Sequence, residues 1–179
     1  MKSYSIFTDV SLNPKIKKGL GAYLILPSRY LELSLSEIEQ LYLIKLMKFK
    51  AFDSTSSTKL EVETVIWAIN DILSIHQNDI PSELHLYTDS QCVAGLLGRR
   101  QKLEQNKFTS KATKLPLIQA DLYKEFYKLY DAIRFDITKV TGHSKSFTQD
   151  TKHRIFSYLD KAVRQKFKDL SSNKQKLIR

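Results

Sequence analysis

The sequence predicts a single α/β domain in which helices cover a mixed sheet, and three observations carry that prediction. The chain opens with YSIFTD from Tyr4 to Asp9, a tight connection, and a second apolar strand from about Leu20 to Leu26, which together read as an antiparallel pair. Its middle follows a strand, helix, strand, helix order of the βαβ type. Its 179 residues, 42% hydrophobic and 11% aromatic, are most simply one domain with a sizeable core.

In order, residues 4 to 9 alternate as a strand, and VSLNPKIKKGLG connects them to the second strand, entered through Gly19 and Gly21 and broken by Pro27 and Ser28. From Arg29 to Ser57 two readings stay open: RYLELSL alternates like a strand, while SEIEQLYLIKLMKF suits either a short helix from Ser36 or another strand. The polar DSTSST leads into the clearest helix, about Lys59 to Ile75, apolar nearly all round and so expected against the sheet. After a turn at Asn78 to Pro81, LHLYTD from Leu84 is a strand ending on Asp89, and Gln91 to Leu97 is a short helix stopped by Gly98. Arg99 to Lys114 carries six cations against Glu104 and is expected to lie over the surface. Leu117 to Tyr130 is an amphipathic helix, Arg134 to Val140 a last strand, 144 to 154 a polar loop, and Ile155 to Leu170 a final helix. The domain is drawn at 1–170, with a basic tail, 171–179, expected to fray.

Charge narrows the function. The 29 Lys and Arg against 19 Asp and Glu give +10, which suits a polyanion such as nucleic acid, although a membrane surface fits the bare charge equally. No apolar run approaches the roughly 20 residues that span a bilayer. The N-terminus lacks a signal peptide's apolar stretch, and Cys92 is the lone cysteine, so a soluble, unexported, cytoplasmic protein without disulfides or thiolate zinc is expected.

Four acids stand out against that basic background. Asp9 and Asp89 each end an apolar strand, Glu61 opens a buried helix, and Asp160 interrupts an apolar helical stripe. Each has a plain structural account. Asp9 can be read as a turn residue, Glu61 as the partner of Thr58 in a capping box, Asp89 or Ser90 as the cap of the next helix, and Asp160 as the partner of Arg164. Their shared setting is what those accounts leave out, because several unpaired carboxylates near a core call for a compensating cation. Oxygen ligands without Cys or a His cluster favour hard Mg²⁺ or Mn²⁺ over zinc.

IFTDVS around Asp9, STKLE around Glu61, LYTDSQ around Asp89, VTGHS around His143 and YLDKAVR around Asp160, in that order, resemble the type 1 ribonuclease H enzymes of the ribonuclease H-like superfamily. The resemblance spans most of the chain. It implies a mixed five-stranded sheet flanked by helices, with Asp9, Glu61, Asp89 and Asp160 holding two Mg²⁺ ions (Mn²⁺ as a substitute) and His143 as a mobile, proton-handling histidine. It implies as substrate an RNA/DNA hybrid, cut by a monomer in its RNA strand to 5′-phosphate and 3′-hydroxyl ends. Ser56, Ser57, Thr58 and Gln91 fall where such enzymes touch the backbone and minor groove, with Asn13 beside them, and Arg99, Arg100 and Lys102 fall in the place of a basic protrusion. His85, His76 and His153 are read as structural.

The chain also departs from the family. Val10 and Lys15 stand where glycines are usual, so the first turn is rebuilt, which bears on Asn13; Ser57 and Thr58 stand where Asn is common. The approach to the last helix is long, which makes Asp150 a competitor of Asp160, and Glu63 is a weaker rival of Glu61. Two other functions stay open at this point: a related nuclease acting on another nucleic acid, and a catalytically silent hybrid-binding module.

Overall fold

Period-two alternation in three apolar strands gives the sheet two buried faces, and each face selects its own helices. In the computed structural model, which describes residues 2–34, 40–77, 79–140 and 150–176, five strands are ordered β3-β2-β1-β4-β5. They are β1 (Ser3–Asn13), β2 (Lys18–Pro27), β3 (Lys48–Phe52), β4 (Glu83–Thr88) and β5 (Asp136–Lys139). Strands β1, β2 and β3 are antiparallel, whereas β4 runs parallel to β1 and β5 parallel to β4. The sheet is therefore the mixed, five-stranded one expected.

One face buries Ile6, Tyr23, Leu84 and Leu86 beneath α2 (Ser57–Ile75) and α5 (Ala120–Ala132). The other buries Phe7, Leu20, Ala22, Leu24 and Tyr87 beneath α6 (Thr151–Lys176), with Leu43 of α1 (Gln40–Leu46) at its side. Two short helices, α3 (Gln91–Ala94) and α4 (Leu96–Gln105), follow β4. Helix α2 can lie close to β2 because Gly19 and Gly21 have no side chains: a Cβ on Gly19 would overlap Leu60 Cδ2, and one on Gly21 would overlap Thr64 Oγ1. Since Glu61 sits between Leu60 and Thr64, those two glycines also set its height above the sheet.

Several expectations change. Strand β1 does not end at Asp9; it continues to Asn13, because β2 pairs with it as far as Asn13↔Lys18, so Asp9 is a mid-strand residue opposite Ala22 and not a turn former. The open stretch after Arg29 holds a 3-10 turn (Ser28–Glu32), α1 and β3, so residues 29–34 of RYLELSL are not a strand, while 35–39, with the expected helix start at Ser36, lie outside the described residues. The final helix begins four residues earlier than expected and runs to Lys176, taking in much of the anticipated tail.

Gly98 does not stop a helix either. The break falls at Gly95, the shared boundary of α3 and α4, while Gly98 lies inside α4, where a Cβ would have nothing within 4 Å. Buried Leu96 and half-buried Leu97 and Leu103 anchor α4 to the core and override the glycine's weak propensity. Gly98→Ala is expected to raise stability by about 0.5–1 kcal/mol, by removing backbone freedom from the unfolded chain at no steric cost, which a urea titration would read. A lower midpoint would show that this helix is not continuous in solution.

Candidate active site at the C-terminal edge of the sheet

Parallel pairing of β1 with β4 aligns Thr8 with Thr88, so Asp9 and Asp89 emerge together as the next residue of each strand. Both belong to the face that carries Phe7 and Tyr87, the face that α6 covers, and α6 brings Asp160 to the same edge. From the other face α2 presents Glu61 in its second turn. The four acids act on one another: Asp9 feels Asp89 and Asp160, and Asp89 feels Glu61 and Asp160.

Burial first, then the charges of Asp89 and Asp160, push the Asp9 carboxyl up to about 8, against the opposing Val10 N–H and Arg164 charge. Asp9 is only 7% exposed, and its Oδ2 is buried without a hydrogen-bond partner. Asp89 is more open, yet partial burial of its carboxyl, then Glu61 and Asp160, raise it too. Such an arrangement opposes ionisation of acids that neutral pH would ionise, and a hard cation is the group that relieves it. The acids, oxygen donors only, fit a divalent ion in that sense. Among the described residues, however, no three His, Cys, Asp or Glu side chains are gathered tightly enough to hold one.

Each plain account of the acids can now be decided. Ser56 caps α2, its Oγ accepting from Lys59 N at 3.4 Å, so Glu61 does not close a box with Thr58. Instead Glu61 accepts from Ser57 Oγ at 2.9 Å and from Ser90 Oγ at 2.5 Å. Ser90 caps α3, accepting from Val93 N at 3.1 Å, which leaves Asp89 free of capping duty. Asp160 does pair with Arg164 one turn on, at 2.7 Å, with the Arg164 side chain exposed and that of Asp160 only 20% exposed. Asp150 is the true helix-end acid: it accepts from His153 N at 3.0 Å and lies 2.7 Å from His153 Nδ1. Slight burial raises its carboxyl, but the His153 bonds and the His153 and Lys152 charges outweigh this and hold it below the usual range. Glu63 turns away toward Lys59, 3.8 Å off.

Of the other expected residues, Ser56, Ser57 and Thr58 cluster at the N-terminus of α2, where Ser57 is engaged with Glu61. Gln91 is the exposed first residue of α3, and its Oε1 accepts from Lys139 Nζ at 2.7 Å. Asn13 is not beside the acids. It lies four residues beyond Asp9 on β1, about 13 Å away, and its Oδ1 accepts from Lys15 N at 3.1 Å to close the rebuilt turn. His143 lies outside the described residues.

The basic segment divides in two. Arg99 folds back on α3, donating to Cys92 O at 2.8 Å and Gly95 O at 3.2 Å. Arg100 grips both Asp131 oxygens at 2.7 Å and Glu104 at 2.7 Å, with its guanidinium 5.1 Å from the Tyr127 ring centre, so it ties α4 to α5. Lys102, Lys107, Lys111 and Lys114 are exposed and make no ion pair among the described residues. Ser90 is the site residue that sequence reasoning credited only with a capping role. Its position immediately after Asp89 was the available signal.

A model of the RNase H family matches residues 1–154. The chain belongs to the RNase H family. Its class is that of a ribonuclease, a hydrolase. The match includes Asp9, Glu61, Asp89 and His143 and ends before Asp160, so Asp160 rests on its place in the structure. No curated protein matches the sequence. Among solved structures, this RNase H is similar to the solution structure of the PFV RNase H domain, at 16% identity and a TM-score of 0.62, over 92% of each chain. It is similar also to the foamy viral protease-reverse transcriptase in complex with dsDNA, at 16% identity and a TM-score of 0.59 over 92% of each chain. The same viral protein in complex with RNA/DNA hybrid aligns at 14% identity and a TM-score of 0.60, over 92% of this chain and 19% of that one. At these identities the likeness is one of fold. No helix among the described residues is long and apolar enough to cross a membrane.

Proposed function

We propose that this RNase H is a divalent-metal-dependent endonuclease that hydrolyses the RNA strand of RNA/DNA hybrids, leaving 5′-phosphate and 3′-hydroxyl ends. The observation that carries the reading is the meeting of Asp9, Glu61, Asp89 and Asp160 at one edge of the sheet, with a buried Asp9 oxygen that no protein group satisfies. These four would hold Mg²⁺, or Mn²⁺ in its place, as two ions, their side chains closing in on the cations from the wider spacing they have in the metal-free chain. When bound, the ions supply positive charge at the scissile phosphate and lower the pKa of the attacking water.

The chain's own residues do the rest. Ser57 and Ser90 donate to the two Glu61 oxygens and hold that carboxylate in one orientation. Arg164 offsets part of the charge on Asp160 and, at longer range, on Asp9 and Asp89. His143 handles the proton that hydrolysis releases. Ser56, Ser57 and Thr58, at the start of α2, meet backbone or ribose oxygens, and Gln91 meets the shallow minor groove, where 2′-hydroxyls mark the RNA strand. The protein acts as a cytoplasmic monomer.

The test is cleavage of labelled RNA/DNA hybrid, double-stranded RNA and double-stranded DNA, with Mg²⁺ and with EDTA. Cutting of the hybrid alone, lost in EDTA and restored by Mg²⁺ or Mn²⁺, is expected. Equal cutting of double-stranded DNA, or cutting that survives EDTA, would overturn the reading.

The four exposed lysines of the basic segment between Arg99 and Lys114 supply affinity without sequence readout. Changing Lys102, Lys107, Lys111 and Lys114 to Gln is expected to raise KM several-fold and to lower the salt slope by about one for each phosphate that is no longer neutralised. Arg100→Ala is expected to lower the melting temperature and leave that slope alone, since its guanidinium is already paired with Asp131 and Glu104. A flattened slope in the arginine variant would reassign it to the duplex.

A further inference from the structure

One bond joins the end of β5 to the start of α3: Lys139 Nζ donates to Gln91 Oε1 at 2.7 Å. The sheet makes it so. Lys139 pairs with Thr88, three residues before Gln91, and Ile137, two residues before Lys139, packs against the core that buries Val93 and Leu96. The Lys139 side chain therefore stands on the face that carries α3.

The chemistry of the pair is one-sided. An ammonium has three donors and no acceptor, so only the carboxamide oxygen can face it. The Gln91 amide nitrogen must then point away. A lone exposed glutamine can turn its amide over and offer either a donor or an acceptor, but this one cannot without setting its own N–H groups against a cation.

We propose that Lys139 is a specificity-determining positioning residue, which fixes the Gln91 carboxamide so that it offers N–H donors and no acceptor to the bound duplex. The inference rests on the proposal that Gln91 meets the minor groove of a hybrid. Every base pair presents purine N3 and pyrimidine O2 acceptors in that groove, and guanine alone adds an amino donor. A donor-only reader bonds to the acceptors, and to the oxygen of a 2′-hydroxyl, and is opposed by the guanine amino group. Cleavage is therefore favoured where an A·T or A·U pair occupies the contacted step, by about three- to tenfold over G·C.

The experiment is to cut a pool of sequence-randomised hybrids under single-hit conditions and sequence the product ends, for the wild type, K139R, K139M, K139E and Q91A. The wild type is expected to show a bias against G·C at one fixed distance from the cut. K139R, still a donor, keeps it; K139M and Q91A lose it, whatever their total rates. K139E reverses it, because a carboxylate only accepts, draws the amide nitrogen to itself and turns the oxygen toward the groove. General loss of phosphate affinity at position 139 acts on all sequences alike and leaves the profile unchanged. A wild-type pool without a bias at any position, or K139M and K139E profiles identical to the wild type, overturns the inference while hybrid cleavage itself stands. Absence of hybrid cleavage by the wild type would instead overturn the function on which it rests.

Discussion

Asp89→Asn is expected to slow hybrid cleavage about a thousandfold or more, the equivalent of losing roughly 4 kcal/mol of transition-state stabilisation when one anionic metal ligand becomes neutral. The fold should be unaffected. Asp89 is an exposed residue, and Ser90, not Asp89, caps α3, so the substitution removes a charge and little else. Single-turnover cleavage beside a thermal melt would check this. A rate within threefold of the wild type would remove Asp89 from the active site.

Asp9→Asn should also abolish cleavage, yet it is expected to stabilise the metal-free protein by about 1–3 kcal/mol at pH 8, because an uncharged amide avoids the cost of ionising a buried carboxyl beside other acids. The sign follows from linkage. The Asp9 carboxyl is raised from its ordinary 3.8 to about 8 by burial and by its acidic neighbours. Between those values the folded chain binds a proton that the unfolded chain does not, so stability is greatest at the low end and falls as pH rises toward 8. Asparagine removes that slope. Urea unfolding in EDTA at pH 5 and pH 8 should give a small difference between variant and wild type at pH 5 and a larger one at pH 8. Added Mg²⁺ should close the gap by stabilising the wild type alone. A difference independent of pH would mean that Asp9 is ionised and accommodated without metal.

Much of the fold was legible because it is written in local patterns. The alternation of LHLYT and the all-round apolar α2 identify their elements with no knowledge of neighbours. Boundaries were not, because neighbours decide them: β1 outruns Asp9 since β2 continues to pair with it, and α4 runs through Gly98 since Leu96 and Leu103 hold it to the core. The four acids could be picked out by setting, and their order matched a family, but the partners of their rivals, His153 for Asp150 and Lys59 for Glu63, appear only in space. Arg99 and Arg100 show the opposite limit. Composition counts them with the lysines, while their partners, the carbonyls of α3 and Asp131 of α5, lie far off or unmarked in the sequence.

The central position of β1 also has a kinetic meaning. Asp9 and Asp89 lie 80 residues apart and meet only through the parallel ladder from Ser3↔Glu83 to Thr8↔Thr88. A refolding chain can form helices α2 and α6, each within one continuous segment, before that long loop closes. Helical signal should therefore return ahead of catalytic competence, and the appearance of nuclease activity marks the moment at which the two halves of the sheet come into register.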